Sequence, residues 1–275
     1  MLNQSMRSII FASVLSILLA SCFEPREACL DIAATNFDAS ADKDCCCIYP
    51  KLTLTVNQVY DTLLYKSDSL YLTDQGQIFR LKNVAFYLSD FELTQLGTPF
   101  TVSDTLTLLT REGTDTSAQL FANDFLLIRR SPVTYTVGTF RQDGNFETVK
   151  FRFGLSDDAQ KTIPAKTPAN HPLGLQPDGL WQGYDEGYVW LQAVVVRDEM
   201  NTTPADTLRF TKADLGQVAL NFNGTFVHPT GYDFPLILTV DYKKLFDGVN
   251  WSQGDISSWK SQIVSNIGAS FSVSQ

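Results

Sequence analysis

The stretch IFRLKNVAFYLSDFEL, residues 78–93, decides the fold class. Branched and aromatic residues recur in it at period two, the rhythm that a strand turns into one apolar face. Shorter runs of the same kind lie on either side of it. Residues 51–56 alternate, with Leu52, Leu54 and Val56 on one face, and the series continues at 133–140, 146–155, 188–196, 207–211, 217–227 and 234–242. Several of these are bounded by Gly, Asn-Gly, Asp-Gly or Pro, as strand ends usually are. Helical periodicity arises near the end, where Asp255 can cap a helix in which Ile256, Trp259, Ile263 and Ile267 recur at three and four residues. A shorter helix is expected around 241–246. Many short strands at this spacing predict an all-β fold, an antiparallel β-sandwich with a short C-terminal helix. All-β domains reach about 200–250 residues as single units, so 51–275 is read as one domain.

The composition fits such a core. Of 275 residues 44% are hydrophobic and 19% charged, an ordinary globular balance. The net charge of −9, with no basic run, argues against a nucleic-acid partner.

The first 21 residues read as a leader and are kept out of the fold. Arg7 supplies the positive start, and residues 9–20 form an apolar run of signal-peptide length, too short for an ordinary transmembrane helix. The run ends Leu19-Ala20-Ser21-Cys22, the order of a bacterial lipobox, so Cys22 is the expected lipidation site. The mature chain is expected to be held by acyl chains in the bacterial cell envelope, at the periplasmic or surface face of the outer membrane, and to be otherwise soluble.

Residues 22–50 form a separate cysteine-rich, acidic collar. Its remaining cysteines, Cys29, Cys45, Cys46 and Cys47, are even in number in an exported chain and read as two disulfides. Adjacent cysteines pair only with strain, so Cys29 is expected to bridge to one of the triplet, with the connectivity left open. A thiolate cluster for zinc or copper is the alternative, although separated C-x-x-C pairs are missing. The segment also resembles a cysteine-bounded module of secreted and surface proteins in the Bacteroidetes. Oxygens of Asp31, Asn36, Asp38, Asp42 and Asp44 make calcium a further candidate ligand there.

Chemistry in the body points to NHPLGLQPDGLWQGYDEGY, residues 170–188. Glycine and proline at this density specify a shaped loop, where binding groups tend to sit. It carries His171; the other histidine of the chain, His228, also precedes a proline and is therefore biased toward extended backbone. Imidazole is a good ligand for copper, and the further soft candidate beyond Cys47 is Met200. The alternative is that each histidine is a strand-edge residue fixed by hydrogen bonds. No H-E-x-x-H, C-x-x-C-H, G-x-S-x-G or phosphate-binding glycine loop occurs, so a non-enzymatic role is expected. Asp185 and Glu186 are adjacent and would point to opposite sides of a strand, which unsuits them for paired acid–base work.

Four blocks between about residues 51 and 246 together resemble the MbnP-like family, exported proteins named after a partner in methanobactin operons and associated with copper. These are 77–93, 144–155, Asn170-His171 with Gly179-Leu180-Trp181 and Gly187-Tyr188, and His228 ahead of PLILTVDYKKLFDG. The resemblance implies copper, Cu(I) in particular, held by His171 and His228, and a dihaem peroxidase-like partner that oxidises a nearby tryptophan to kynurenine. The tryptophan pattern is not kept: Gln182 and Tyr184 fall on the two tryptophan positions, and Trp181 on the preceding aromatic one. The expected function is metal handling by an extracytoplasmic lipoprotein. The rival is a surface lipoprotein that binds a protein or glycan through an aromatic loop, with Trp181 and Tyr184 as contacts.

Overall fold

The computed structural model describes residues 24–214, 218–253 and 255–275. The leader and Cys22 lie outside them. In chain order the strands begin with β1 (Glu27–Ala28), β2 (Lys43–Asp44), β3 (Lys51–Tyr60), β4 (Leu63–Leu64), β5 (Leu70–Leu72) and β6 (Ile78–Gln95). They continue with β7 (Thr98–Phe100), β8 (Thr105–Glu112), β9 (Asp115–Ala122), β10 (Leu126–Ile128), β11 (Thr134–Thr139) and β12 (Gly144–Phe153). After a long loop come β13 (Leu191–Val196), β14 (Asp206–Phe210), β15 (Val218–His228) and β16 (Phe234–Asp241). Two helices, α1 (Tyr242–Leu245) and α2 (Ile256–Ser270), precede the final strand β17 (Phe271–Ser274).

Two sheets pack face to face as the expected sandwich. The larger has the order β14-β13-β6-β12-β15, with β5, β7 and β10 also paired along β6; the smaller runs β11-β3-β16-β17, with β4 on β3. Pairing in the larger sheet is antiparallel throughout, whereas β3 and β16 lie parallel in the smaller one.

Strand β6 keeps its apolar face inward over 18 residues by changing parity twice. Phe79 and Leu81 face the main core, then Val84, Phe86 and Leu88, then Phe91 and Leu93. A strict alternation could not do this, because one residue's slip turns every later side chain to the other face. Register shifts against β13 after Val194 and against β12 between Lys150 and Arg152 mark the two bulges, and Asp90 at the second has φ +56°. The inward residues of β6, β12, β3 and β16 close over one another as a single aromatic-rich core.

Helix α2 begins at Asp255, which forms a capping box with Ser258, and buries Trp259, Ile263 and Ile267, as its spacing predicts. Ile256 remains about half exposed. Asp241 caps α1 through the Lys243 N–H. The hairpin β8–β9 escapes a period-two reading because it is threonine-rich and mostly exposed.

The outer face of the larger sheet carries a second, smaller core. Ala85 and Tyr87 of β6 point away from the main core and are covered by Leu155, Leu173, Leu180, Tyr188 and Val189, with Leu108 and Phe121 of the β8–β9 hairpin. The glycine- and proline-rich loop is therefore a lid sealed onto a sheet face. Its apolar residues are the seal.

Candidate functional site

The lid is pinned by tyrosine hydroxyls. Tyr87 donates to the Pro172 carbonyl at 3.0 Å and fully buried Tyr188 donates to the Leu173 carbonyl at 2.6 Å. Just before the pinned residues the chain turns through Asn170, at φ +64°, a conformation that asparagine tolerates better than most residues. His171 then faces a cleft of about 520 Å³.

The cleft has an apolar floor of Phe125 and Leu127 and a polar rim of Asn123, Arg129, His171 and Gln176. The His171 Nδ1 accepts from the Leu173 N–H at 3.1 Å, which places the ring proton on Nε2, where it donates to Asn123 Oδ1 at 3.1 Å. Phe125 meets the ring edge-on at 5.9 Å. Burial lowers the His171 pKa below the usual histidine value, so the ring is neutral at pH 7. Arg129 is held by a two-pronged pair with Asp178 at 3.0–3.2 Å and by Gln176 at 3.1 Å. The volume of the cleft falls in the range of small-molecule sites.

Asp124, next to Asn123, is 2% exposed and accepts the Phe91 N–H at 2.7 Å. Burial raises its pKa to about 6. It ties the rim to the second bulge of β6. The loop quoted above contained Gln176 and Asp178, but nothing near Asn123, Asp124 or Arg129 in the chain marks them; the fold brings them in from about 40–55 residues away.

His228 has different surroundings. It is 2% exposed and stacked on Phe234 at 4.9 Å, with the Gln142 carbonyl 2.6 Å from Nδ1 and the Tyr232 carbonyl 2.7 Å from Nε2. A carbonyl oxygen stands in front of each ring nitrogen, which leaves a metal no line of approach to either. The rings are also far apart. Tyr87, which holds the His171 lid, bonds Gly154 just past one end of β12, while His228 pairs with Gly144 at the other. Ten residues of strand separate these ends by about 30 Å. A shared ion needs imidazole nitrogens within about 4 Å, so the arrangement does not fit copper held jointly by His171 and His228. Met200, 78% exposed, is not among the residues that line the cleft.

The aromatic-loop residues divide. Tyr188 and Trp190 are fully buried. Trp181 packs on Tyr188 at 4.8 Å, whereas Tyr184 is 44% exposed with Arg111 over its ring. Glu186 accepts from the Thr211 hydroxyl at 2.9 Å, a structural contact.

In the collar Cys29 bridges to Cys47, with Cα atoms 4.8 Å apart, and Cys45 bridges to its neighbour Cys46. The expectation that Cys29 reaches the triplet holds; the pairing of adjacent cysteines departs from it, since the first bridge leaves Cys45 and Cys46 with no other partner among the described residues. Among the described residues, the group able to offer three metal ligands is Cys29, Asp44 and Cys47, with ligand atoms within 4.8 Å. Two of its sulfurs are bonded to each other. Of the residues considered for calcium, Asp44 alone belongs to that group, and all five are engaged locally. Asp31 takes Arg141, Tyr49 and the Ala33 N–H, Asp38 takes Arg26 and Ser40, Asp42 takes the Arg26 N–H, Asp44 takes the Leu30 N–H, and Asn36 bonds the Cys46 carbonyl and the Ile48 N–H.

A protein-family model described as MbnP matches residues 49–262. The chain belongs to the MbnP family. The matched span takes in the larger sheet, the smaller sheet apart from β17, the lid and the cleft, and leaves out the disulfide-bonded collar. Among solved structures, MbnP from Methylosinus trichosporium is similar at 15% identity, covering 75% of this chain and 78% of that one, with a TM-score of 0.42. No curated protein sequence matches. In this MbnP-family chain one histidine, His171, lies half-buried on the cleft and the other, His228, is sealed in the core.

Proposed function

We propose that this protein is a non-enzymatic, lipid-anchored envelope protein of copper handling, and that it acts through the His171 cleft. The observation that carries the copper role is membership of the MbnP family across residues 49–262. Of the two histidines, His171 is the one on a cavity that a ligand can enter, and it is neutral at pH 7, the form an imidazole must have to coordinate. One imidazole is a thin donor set for a bare ion. A cleft of about 520 Å³ with Arg129, Gln176 and Asn123 on its rim better suits copper that arrives in a small chelate, with the His171 Nε2 completing its coordination once the ring proton moves from Nε2 to Nδ1, which gives up the bonds to Asn123 and to the Leu173 N–H. A dihaem peroxidase-like partner belongs to the same reading.

Competition for Cu(I) against a chromogenic chelator tests this with wild type, His171→Ala and His228→Ala. The expected result is copper binding by wild type that weakens by about tenfold or more when His171 is lost, one ligand contributing at least 1.4 kcal/mol. Undiminished binding by His171→Ala refutes the cleft, and no binding by wild type refutes the copper role. A folded His228→Ala variant is expected to lose stability and to keep its copper affinity.

A further inference from the structure

We propose that the collar face bearing Ile32, Phe37 and Tyr232 rests on the lipid bilayer and fixes how the body stands above it. This rests on the lipid-anchor part of the function proposed above. The three side chains are 67%, 42% and 68% exposed and line one groove of about 520 Å³. Ile48, 59% exposed, sits beside them, its carbonyl taking both the N–H and the hydroxyl of Thr35 on the groove wall. Apolar side chains clustered in this way on a water-soluble body mark a contact surface.

The length of chain before the collar chooses the occupant. Four residues, 23–26, separate Cys22 from β1. Fully extended, they allow the Cα of Glu27 to lie no more than about 17 Å from the acylated cysteine. Acyl chains hold that cysteine at the membrane surface, so β1 stays within about 17 Å of it and the bilayer is the surface nearest the collar.

The collar is also rigid with the body. Asp31 pairs with Arg141 at 3.0 Å, Arg141 lies over the Tyr49 ring at 3.6 Å, and Gly231 lets its loop approach the Ile32 and Ala34 carbonyls where a Cβ would stand only 3.2 Å away. Carboxylates bordering the face are already engaged, Asp31 with Arg141, Asp38 with Arg26 and Asp233 with the Lys51 N–H, which lowers the cost of bringing them toward lipid. Tyr232 has the amphipathic ring that favours the headgroup level. The Tyr232 carbonyl lies 2.7 Å from the His228 Nε2, so the groove lies at the His228 end of β12 and the His171 cleft at the other. A bilayer-seated collar thus places the cleft at the far end of β12, up to about 30 Å further from the membrane.

The test uses the full lipidated protein in phosphatidylcholine vesicles, with and without bromine on the acyl chains. Emission from an introduced tryptophan is read after subtracting the wild-type signal. Tyr232→Trp is expected to be quenched about twofold or more by the brominated lipid, and Tyr184→Trp, on the lid, not at all. Adding Ile32→Asp and Phe37→Asp to Tyr232→Trp is expected to abolish the quench without moving the urea midpoint. Protein that fails to float with vesicles overturns the anchor and this contact with it. Protein that floats with both tryptophans unquenched, or that is dimeric through this groove, overturns the bilayer contact alone.

Discussion

Stability should fall as pH rises from about 4 to 6 on account of one carboxyl group, Asp124. The side chain is 2% exposed, and burial raises its folded-state pKa from 3.8 to about 6. Between these values the folded protein holds a proton that the unfolded chain releases. The stabilisation is therefore complete below pH 4 and is lost as pH climbs through 6. About two pKa units correspond to about 3 kcal/mol. Burial is the largest cause and outweighs the Phe91 N–H bond, which opposes the rise, while the nearby Asp90 charge adds to it. Other groups move the opposite way. Asp31, Asp38 and Asp198 have lowered pKa values whose stabilisation disappears in acid, and burial of neutral His171 adds stability as pH rises toward 7. Asp124→Asn separates these contributions, since the amide keeps an acceptor for Phe91 and does not titrate. Urea unfolding of wild type and variant at pH 4, 5, 6 and 7 gives the difference at each pH, in which the shared groups cancel. That difference should shift by about 3 kcal/mol in the variant's favour between pH 4 and 7. A difference flat to within about 0.5 kcal/mol would mean that the buried carboxyl ionises without cost, and the reasoning fails.

Tyr188→Phe removes the buried hydroxyl that holds the Leu173 carbonyl at 2.6 Å and should cost about 1–2 kcal/mol in urea unfolding, with faster amide exchange at 171–174 than elsewhere. Asn123→Ala removes the acceptor of the His171 Nε2 proton; the imidazole signals in NMR should broaden or shift while the global stability changes little. Replacing Cys29 and Cys47 by serine opens an 18-residue separation and should weaken the collar by about 3 kcal/mol, read as protease cleavage before residue 48 with the transition of the sandwich unmoved. Asp255→Ala should cost about 1 kcal/mol by removing the capping box of α2, measured by thermal unfolding.

The strands of the sandwich were legible because burial on one face leaves a period-two trace. Residues 51–56, 146–155 and 234–242 each fall within a residue or a few of an observed strand, although β3 runs on to Tyr60. The helix after Asp255 was legible for the analogous reason, an apolar stripe at three and four with a cap before it. Strands β8 and β9 were not, since mostly exposed residues carry no such trace. At the site, His171 was singled out by the loop around it, and the cleft is there. Its rim was not legible: Asn123 and Arg129 reach it only because the segment after β9 crosses the same sheet face as the lid.

The amino-acid order by itself determined an all-β body with a C-terminal helix, a cysteine-rich collar before it and a shaped loop at 170–188. Each of these is a local statement, written in spacing that a strand, a helix or a turn imposes on its own residues. Tertiary structure decided which faces close on each other, and so which polar groups meet. Two bulges in β6 set the parity that sends Phe86 inward and Tyr87 outward. The outward tyrosine holds the lid, the inward face takes His228 into the core among Phe140 and Phe234, and two similar His-Pro dipeptides end on opposite faces of one sheet. Pairwise distance across a fold depends on register and packing summed over the whole chain, and no local pattern encodes it.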